Sequence, residues 1–267
     1  MKISAGEIYK SVELIRRQSP VVHNITNYVV MNSTANALLA IGASPVMAHA
    51  EEEVEEMVNI ASALVINIGT LSERWINAMF KAARQARKKG IPIILDPVGA
   101  GATSYRTKTS RDLIAGEPPT IIRGNASEIM ALYDDKSKTK GVDSASSAEA
   151  AIDIAGKVSE IYNCVVCVSG ETDYIVDKEK IVKIKNGHAL MPRVTGLGCT
   201  ASALCGAFAA VEKSSFAATA YAMAVMGIAG EMAAESAAGP GSLQMHFLDC
   251  LHRLCEDDVS RRLKIED

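Results

Sequence analysis

Thr195-Gly196-Leu197-Gly198-Cys199-Thr200, running into the small-residue segment Ala201 to Ala210, is the stretch on which the reading of this chain turns. Two glycines one residue apart strip side chains from a turn, and a helix-like segment starts immediately after. Such a turn bares backbone N–H groups at a helix N-terminus, where the helix dipole favours an anion. Cys199 at the mouth of the turn adds an ionisable group, and the pairing points to phosphoryl chemistry. The plainer reading is a Gly-rich turn feeding a packed helix. A dinucleotide fingerprint fits poorly, because the third glycine is missing and no clear strand leads in. No Gly-Lys-Ser/Thr occurs, so a Walker A loop is absent.

Upstream of this turn, strand and helix signals alternate. Ser4–Gln18 reads as a helix, Pro20–Asn24 as a strand, and Tyr28–Ile41 as a helix ended by Gly42. Ser44–Met47 is extended, Glu51–Ile60 helical, and Ala63–Ile68 an apolar strand. Ser72 can cap the helix carrying Trp75 to Lys89, with Gly90 as its stop. Ile91–Leu95 and Ile121–Arg123 are strands, and Asn125 is a cap for a helix from Ala126. Ser147–Val158 is helical, Cys164–Val168 a strand, and Ile175–Asp177 with Ile181–Lys185 a hairpin. From Cys199 the chain is nearly all helix, broken at Gly239-Pro240-Gly241. The polar stretch Asp134–Ser147 is expected as an exposed loop. Apolar strands alternating with amphipathic helices predict an α/β fold, with a mostly parallel central sheet and helices on both faces. No linker divides the chain, so a single domain over 1–267 is expected.

The 267 residues carry a formal net charge of -3 and only 4% aromatics. That balance offers no basic field for nucleic acid or membrane and no platform for stacked bases. Met1 to Gln18 has no apolar signal core, and no apolar run is read as long enough to span a bilayer. A cytoplasmic protein follows, and its six cysteines are expected to be reduced. Cys164 and Cys167 form a C-x-x-C inside a strand, where positions three apart face opposite ways, which argues against a metal or redox role.

Ligands of open α/β sheets sit beyond the carboxyl ends of the strands. Asn24, Asn67 to Gly69, Asp96, Arg123 to Asn125 and Ser169-Gly170 fall there, and with Gly196 to Cys199 they would line one crevice. Asp96 precedes Pro97, which keeps it out of a helix at the strand tip. A carboxylate there suits Mg²⁺; a plain Asp-Pro turn is the alternative. Arg123 offers a planar fork for phosphate. Glu128 can reach a metal through water or simply complement a helix N-terminus. Asn24 and Asn27 are candidates for polar recognition and His23 for a structural role. Met47 can meet a flat heteroaromatic ligand or fill the core.

VVHNITNYVVMNSTANALLAIGASPVMAHA (21–50), ILDPVGAGAT (94–103), IIRGNASEI (121–129), VSGETDYIVD (168–177) and VTGLGCTASAL (194–204) stand in the order of the motifs of the hydroxyethylthiazole kinase family. GPGSLQMHFLDCL (239–251) also resembles it. The resemblance implies a ribokinase-like fold and ATP- and Mg²⁺-dependent phosphorylation of the primary alcohol of 4-methyl-5-(2-hydroxyethyl)thiazole, feeding thiamine salvage. It implies a homotrimer with sites between subunits. Carried over by motif, Met47, Gly196 and Asn24 would contact the thiazole, and Arg123, Ser169 and Gly198 the ATP phosphates. Asp96 and Glu128 would organise Mg²⁺. Cys199 stands where ribokinase-like enzymes place an aspartate base. Two departures are present. Leu197 replaces a small or hydroxyl residue, removing a hydroxyl contact, and Ser169 stands where threonine is common.

Three readings remain at this level. The first is the thiazole kinase. The second is a kinase of the same fold for another small alcohol, a hydroxymethylpyrimidine or a sugar. The third is a non-catalytic nucleotide-binding protein, against which the intact Asp96, Arg123 and Cys199 set argues. For Cys199, a helix N-terminus is expected to lower a thiol that titrates near pH 8.5 when free.

Overall fold

The structure, a computed structural model, describes residues 3–133 and 147–266. The polar stretch expected as a loop, 134–147, lies outside them but for its last residue. In chain order the elements are α1 (Ala5–Gln18), β1 (Val21–Ile25), α2 (Met31–Ile41), β2 (Ser44–Val46), α3 (Val54–Ile60), β3 (Ala63–Asn67) and α4 (Glu73–Lys89). Then follow β4 (Ile93–Asp96), α5 (Ser104–Gly116), β5 (Ile121–Asn125), α6 (Ala126–Leu132), α7 (Ser147–Tyr162) and β6 (Val165–Ser169). The hairpin β7 (Asp173–Asp177) and β8 (Lys180–Ile184) leads to the helices α8 (Leu197–Ala209), α9 (Ser215–Ser236), α10 (Pro240–Arg253) and α11 (Glu256–Arg262), and a short β9 (Ile265–Glu266) closes the sheet.

One sheet has the order β2-β1-β3-β4-β5-β6-β7-β8-β9. Pairing is parallel from β2 to β6 and antiparallel from β6 onward. The chain steps one way from β1 to β2 and the other way from β2 to β3. With the near-universal right-handed crossover, that reversal puts the connecting helices on opposite faces. Accordingly Leu38 and Ile41 of α2 pack on one face with α1, α8, α9 and α10. Val54 and Val58 of α3 pack on the other with α4 to α7. The pleat matches: Val65 and Ile94 face the first layer while Leu64, Ile66, Ile93 and Leu95 face the second. The polar residues that continue the first register, Asn67 and Asp96, therefore point toward α8.

The expected caps are present. Ser72 accepts from Trp75 N–H, Gly90 closes α4 at φ 77, and Asn125 with Glu128 forms a capping box on α6. The second helix starts at Met31 instead of Tyr28, because residues 28–30 form a turn in which Val30 N–H bonds Asn27 C=O. Helix α5 was not read from the sequence. Its inward face uses Thr109 and Ser110 beside Leu113 and Ile114, so its apolar period is interrupted.

Helix α9 has 22 residues and is long and apolar enough to cross a membrane, which corrects the expectation that no run is so long. Its apolarity has another cause: 94% of its most apolar window is buried among its neighbours. Helix α8 lies directly on the sheet. A Cβ on Gly206 would fall 2.8 Å from Val65 Cγ2 and 3.1 Å from Val22 Cγ1. That close approach seats the first turn of α8 over the carboxyl ends of β1, β3 and β4.

Candidate active site

Gly196 has φ 87, a left-handed conformation suited to glycine, and a Cβ there would also meet Val30 Cγ1 at 2.7 Å. The first backbone bond of α8 runs from Thr200 N–H to Gly196 C=O, 2.9 Å. The N–H groups of Leu197, Gly198 and Cys199 thus have no acceptor within the helix. Cys199 lies inside the first turn, one residue deeper than a loop position.

Arg123 reaches the same place from β5. A Cβ on Gly198 would lie 3.0 Å from its Nη1. Its Nε is buried without a partner, and among the described residues the guanidinium makes no hydrogen bond or ion pair. Burial works against its charge, but the surrounding acidic groups, Asp96 foremost, outweigh that and hold it protonated. A bare guanidinium stacked on the positive end of a helix is two like features side by side. An anion between them would satisfy both.

Asp96 ends β4 and is buried. Its Oδ2 accepts from Asn67 Nδ2 and from Ser202 Oγ, both 2.8 Å, while Oδ1 is buried and unpartnered. Burial raises the carboxyl to about 6, against the pull of Arg123, Ser202 and Asn67. Asn67 also accepts from Asn27 Nδ2 at 2.9 Å, and that amide donates to Cys199 Sγ at 3.6 Å. Burial and the Asp96 charge push the Cys199 thiol up to about 11, with Asn67, Asn27 and Arg123 opposing. The expected lowering by the helix is therefore overturned: the thiol is sunk between the helix and the sheet, where a thiolate loses its water.

These groups wall a cleft of about 420 Å³ at the point where the strand order reverses, with Asn27, Asp96, Arg123, Glu128, Gly196 and Cys199 on its surface. Glu128 fills the plainer role expected of it. Its Oε2 accepts from Asn125 N–H and its Oε1 from Gly99 N–H, each at 2.8 Å. As donors for a metal, Asp96 Oδ1 and Glu128 are hard oxygens of the kind Mg²⁺ takes, and the engaged Glu128 oxygens suit contact through water. Among the described residues no cluster of three His, Cys, Asp or Glu is formed. A cation held by two carboxylates and substrate phosphates fits that donor set.

Not every expected residue lines the cleft. Asn24 is buried in β1, donates to Val22 C=O at 2.9 Å, and leaves its Oδ1 unpartnered. Met47 is half-buried just past β2, and Ser169, at the end of β6, donates to Gly124 C=O at 3.2 Å. The two stand at opposite ends of the parallel block, with the cleft between them. His23 is structural as expected: its Nε2 bonds Ala48 C=O at 2.8 Å, and burial lowers its pKa. Leu197 is buried in the helical layer and does not line the cleft, so its replacement of a small or hydroxyl residue changes the core and not the cleft wall. Cys164 and Cys167 are free, buried and face opposite layers.

Ser202 and Arg106 were missed. Ser202 lies three residues after Cys199, on the same helix face, and that spacing was the available signal. Arg106 donates to the carbonyls of Ile68 (3.1 Å), Val98 (2.7 Å) and Gly69 (2.9 Å), pinning the loops after β3 and β4. Nothing local in the sequence marked it.

The sequence profile of the Hydroxyethylthiazole kinase family matches residues 12–257. This chain belongs to that family. A hydroxyethylthiazole kinase of Syntrophus aciditrophicus is 62% identical over 266 residues, covering 99% of this chain and 98% of the relative. The solved hydroxyethylthiazole kinase of Pyrococcus horikoshii superposes with a TM-score of 0.90 at 44% identity, over 98% of both chains. A ribokinase-like superfamily protein of Enterococcus faecalis shares the fold alone, with a TM-score of 0.62 at 13% identity over 88% of this chain and 87% of that one. The chain is an enzyme of the kinase class with a ribokinase-like α/β fold.

Asp96 has a folded pKa of about 6, above its unfolded value of roughly 3.9. A carboxyl raised on folding favours the folded state while protonated, and that contribution is lost as pH rises from about 4 through 6. At pH 8 the buried charge then costs on the order of 2–3 kcal/mol. Asp96→Asn is expected to raise the thermal midpoint at pH 8 and to lose that advantage at pH 4 or below. Equal midpoints at both pH values would contradict this.

Proposed function

We propose that the protein transfers the γ-phosphoryl group of ATP, with Mg²⁺, to the primary alcohol of 4-methyl-5-(2-hydroxyethyl)thiazole, a step of thiamine salvage. The observation that carries the reading is the unpartnered Arg123 guanidinium lying over the free N–H groups of α8, beside Cys199 and the open oxygen of Asp96. The family membership supports the choice of alcohol.

Phosphoryl transfer needs alignment and charge stabilisation more than covalent chemistry. Gly198 and Cys199 N–H and the Arg123 fork receive the charge on the transferring group. Asp96 and Glu128 hold the cation, which when bound neutralises phosphate oxygens. Ser169, at the β6 end, binds on the ATP side, and Met47 and Gly196, toward the β2 and β1 end, bind the thiazole; Asn24, whose amide turns back to Val22 C=O, is left out of that contact. Cys199 orients the alcohol and takes its proton late. The chain works as one domain in the cytoplasm, as a homotrimer. Tyr28 and Val29, 63% and 70% exposed beside the cleft, support a neighbouring subunit there.

The test is incubation with ATP, Mg²⁺ and the thiazole, following the phosphorylated product by mass, with a hydroxymethylpyrimidine and a pentose in parallel. Product from the thiazole alone is expected. Phosphate on another alcohol would overturn the substrate. Trp75, the single tryptophan, packs 4.4 Å from the ring of His49, two residues after Met47, and 4.9 Å from that of Tyr28. Its fluorescence is expected to report thiazole binding without turnover.

A further inference from the structure

We propose that Asn67 is a positioning residue for the transfer, acting through Asn27 on Cys199: the Asn67–Ile68–Gly69 turn holds the Asn27 amide against the sulfur. The inference rests on the reading of Cys199 given above.

Three features build the device. Asn67 is buried with both side-chain polar atoms engaged: Oδ1 accepts from Gly69 N–H and from Asn27 Nδ2, each at 2.9 Å, and Nδ2 donates to Asp96 Oδ2. The bond from Gly69 N–H closes an Asx turn, which fixes the amide plane of Asn67. Gly69 supplies space. A Cβ there would fall 2.5 Å from Asn27 Nδ2 and 2.9 Å from its Cγ, although the Gly69 backbone is not left-handed. A Cβ would also fall 2.9 Å from Asn67 Oδ1, so glycine is required by the close approach of both amides and not by a left-handed backbone. Arg106 grips the outward carbonyls of Ile68 and Gly69, so the turn cannot back away from Asn27. The Asn27 amide, anchored on Asn67, points its donor at Sγ, 3.6 Å away. A donor so placed engages one sulfur lone pair, limits the rotation of the side chain and favours thiolate over thiol. The Asn27 and Asn67 amides both pull the thiol down against burial.

The test uses Gly69→Ala and Asn67→Ser, each alone and combined with Cys199→Ala, with thermal midpoints to verify folding. Each single variant is expected to lose about tenfold to a hundredfold in kcat, the equivalent of one hydrogen bond to a charged group, with KM for ATP unchanged. In the Cys199→Ala background Gly69→Ala should lower kcat no further, because the group it acts on is gone, while Asn67→Ser keeps the loss that comes through its bond to Asp96. An equal loss for Gly69→Ala in both backgrounds would reduce the turn to a structural part and overturn the proposal. A second readout needs no turnover: alkylation of Cys199 by iodoacetamide at pH 8.5, followed by mass. It should slow about threefold or more in both variants as the thiolate share falls. An unchanged or faster rate overturns the proposal even if the wild type makes thiazole phosphate. If the wild type makes none, the substrate reading fails and the alkylation rates alone decide the role of Asn67.

Discussion

Arg123→Met is expected to lower kcat/KM for ATP by about 10³-fold or more, the scale on which a guanidinium supports phosphoryl transfer. The size follows from where the side chain sits. It is buried at Nε, pairs with nothing among the described residues, and faces the positive end of α8. The same substitution also takes the counter-charge from buried Asp96, so the thermal midpoint should fall at pH 8 along with the activity. Arg123→Lys keeps the charge but loses the planar fork, so it should recover only part of the rate. Steady-state kinetics with ATP varied at saturating alcohol measures this. A wild-type kcat/KM for ATP in Arg123→Met would remove Arg123 from the phosphate site.

The second large effect concerns Cys199. Its alanine variant should lose about 10²–10⁴-fold in kcat, the range for general base catalysis. With the thiol pushed up to about 11, only a small share is thiolate at neutral pH. If that share takes the alcohol proton, wild-type kcat climbs with pH between 7 and 9, and the Cys199→Ala rate stays flat. Cys199→Asp should stay active, as a carboxylate can take the same proton. An unchanged kcat in Cys199→Ala would eliminate the role, and parallel pH profiles for the two enzymes would reduce it to orientation.

Much of the fold was legible because its signals are local. Ser72 and Gly90 bracket α4, Asn125 and Glu128 open α6, and the apolar runs at 63–68 and 164–168 are buried strands. Helix α5 was not, because Thr109 and Ser110 occupy its inner face, with Ser110 Oγ donating back to Arg106 C=O. In the site, the motifs marked Asp96, Arg123, Glu128, Gly196, Gly198 and Cys199, all on the cleft wall. Asn24 was placed with them because it follows the same strand pattern, yet its amide turns back to Val22 C=O.

Alternation of apolar strands with capped helices, the glycines of the turn before α8, and the order of the motifs were determined by the sequence alone. They rest on backbone preferences and periodicities that act over a few residues. Tertiary structure alone decided that Asn67 and Ser202 share one oxygen of Asp96, and that Asn27 meets Cys199 across 172 residues. It also decided that Leu197 faces the core, that α9 is an interior helix, and that burial raises the Cys199 thiol. Strand register and the face a helix presents set those contacts. Both depend on how distant elements pack against one another, which no local pattern contains.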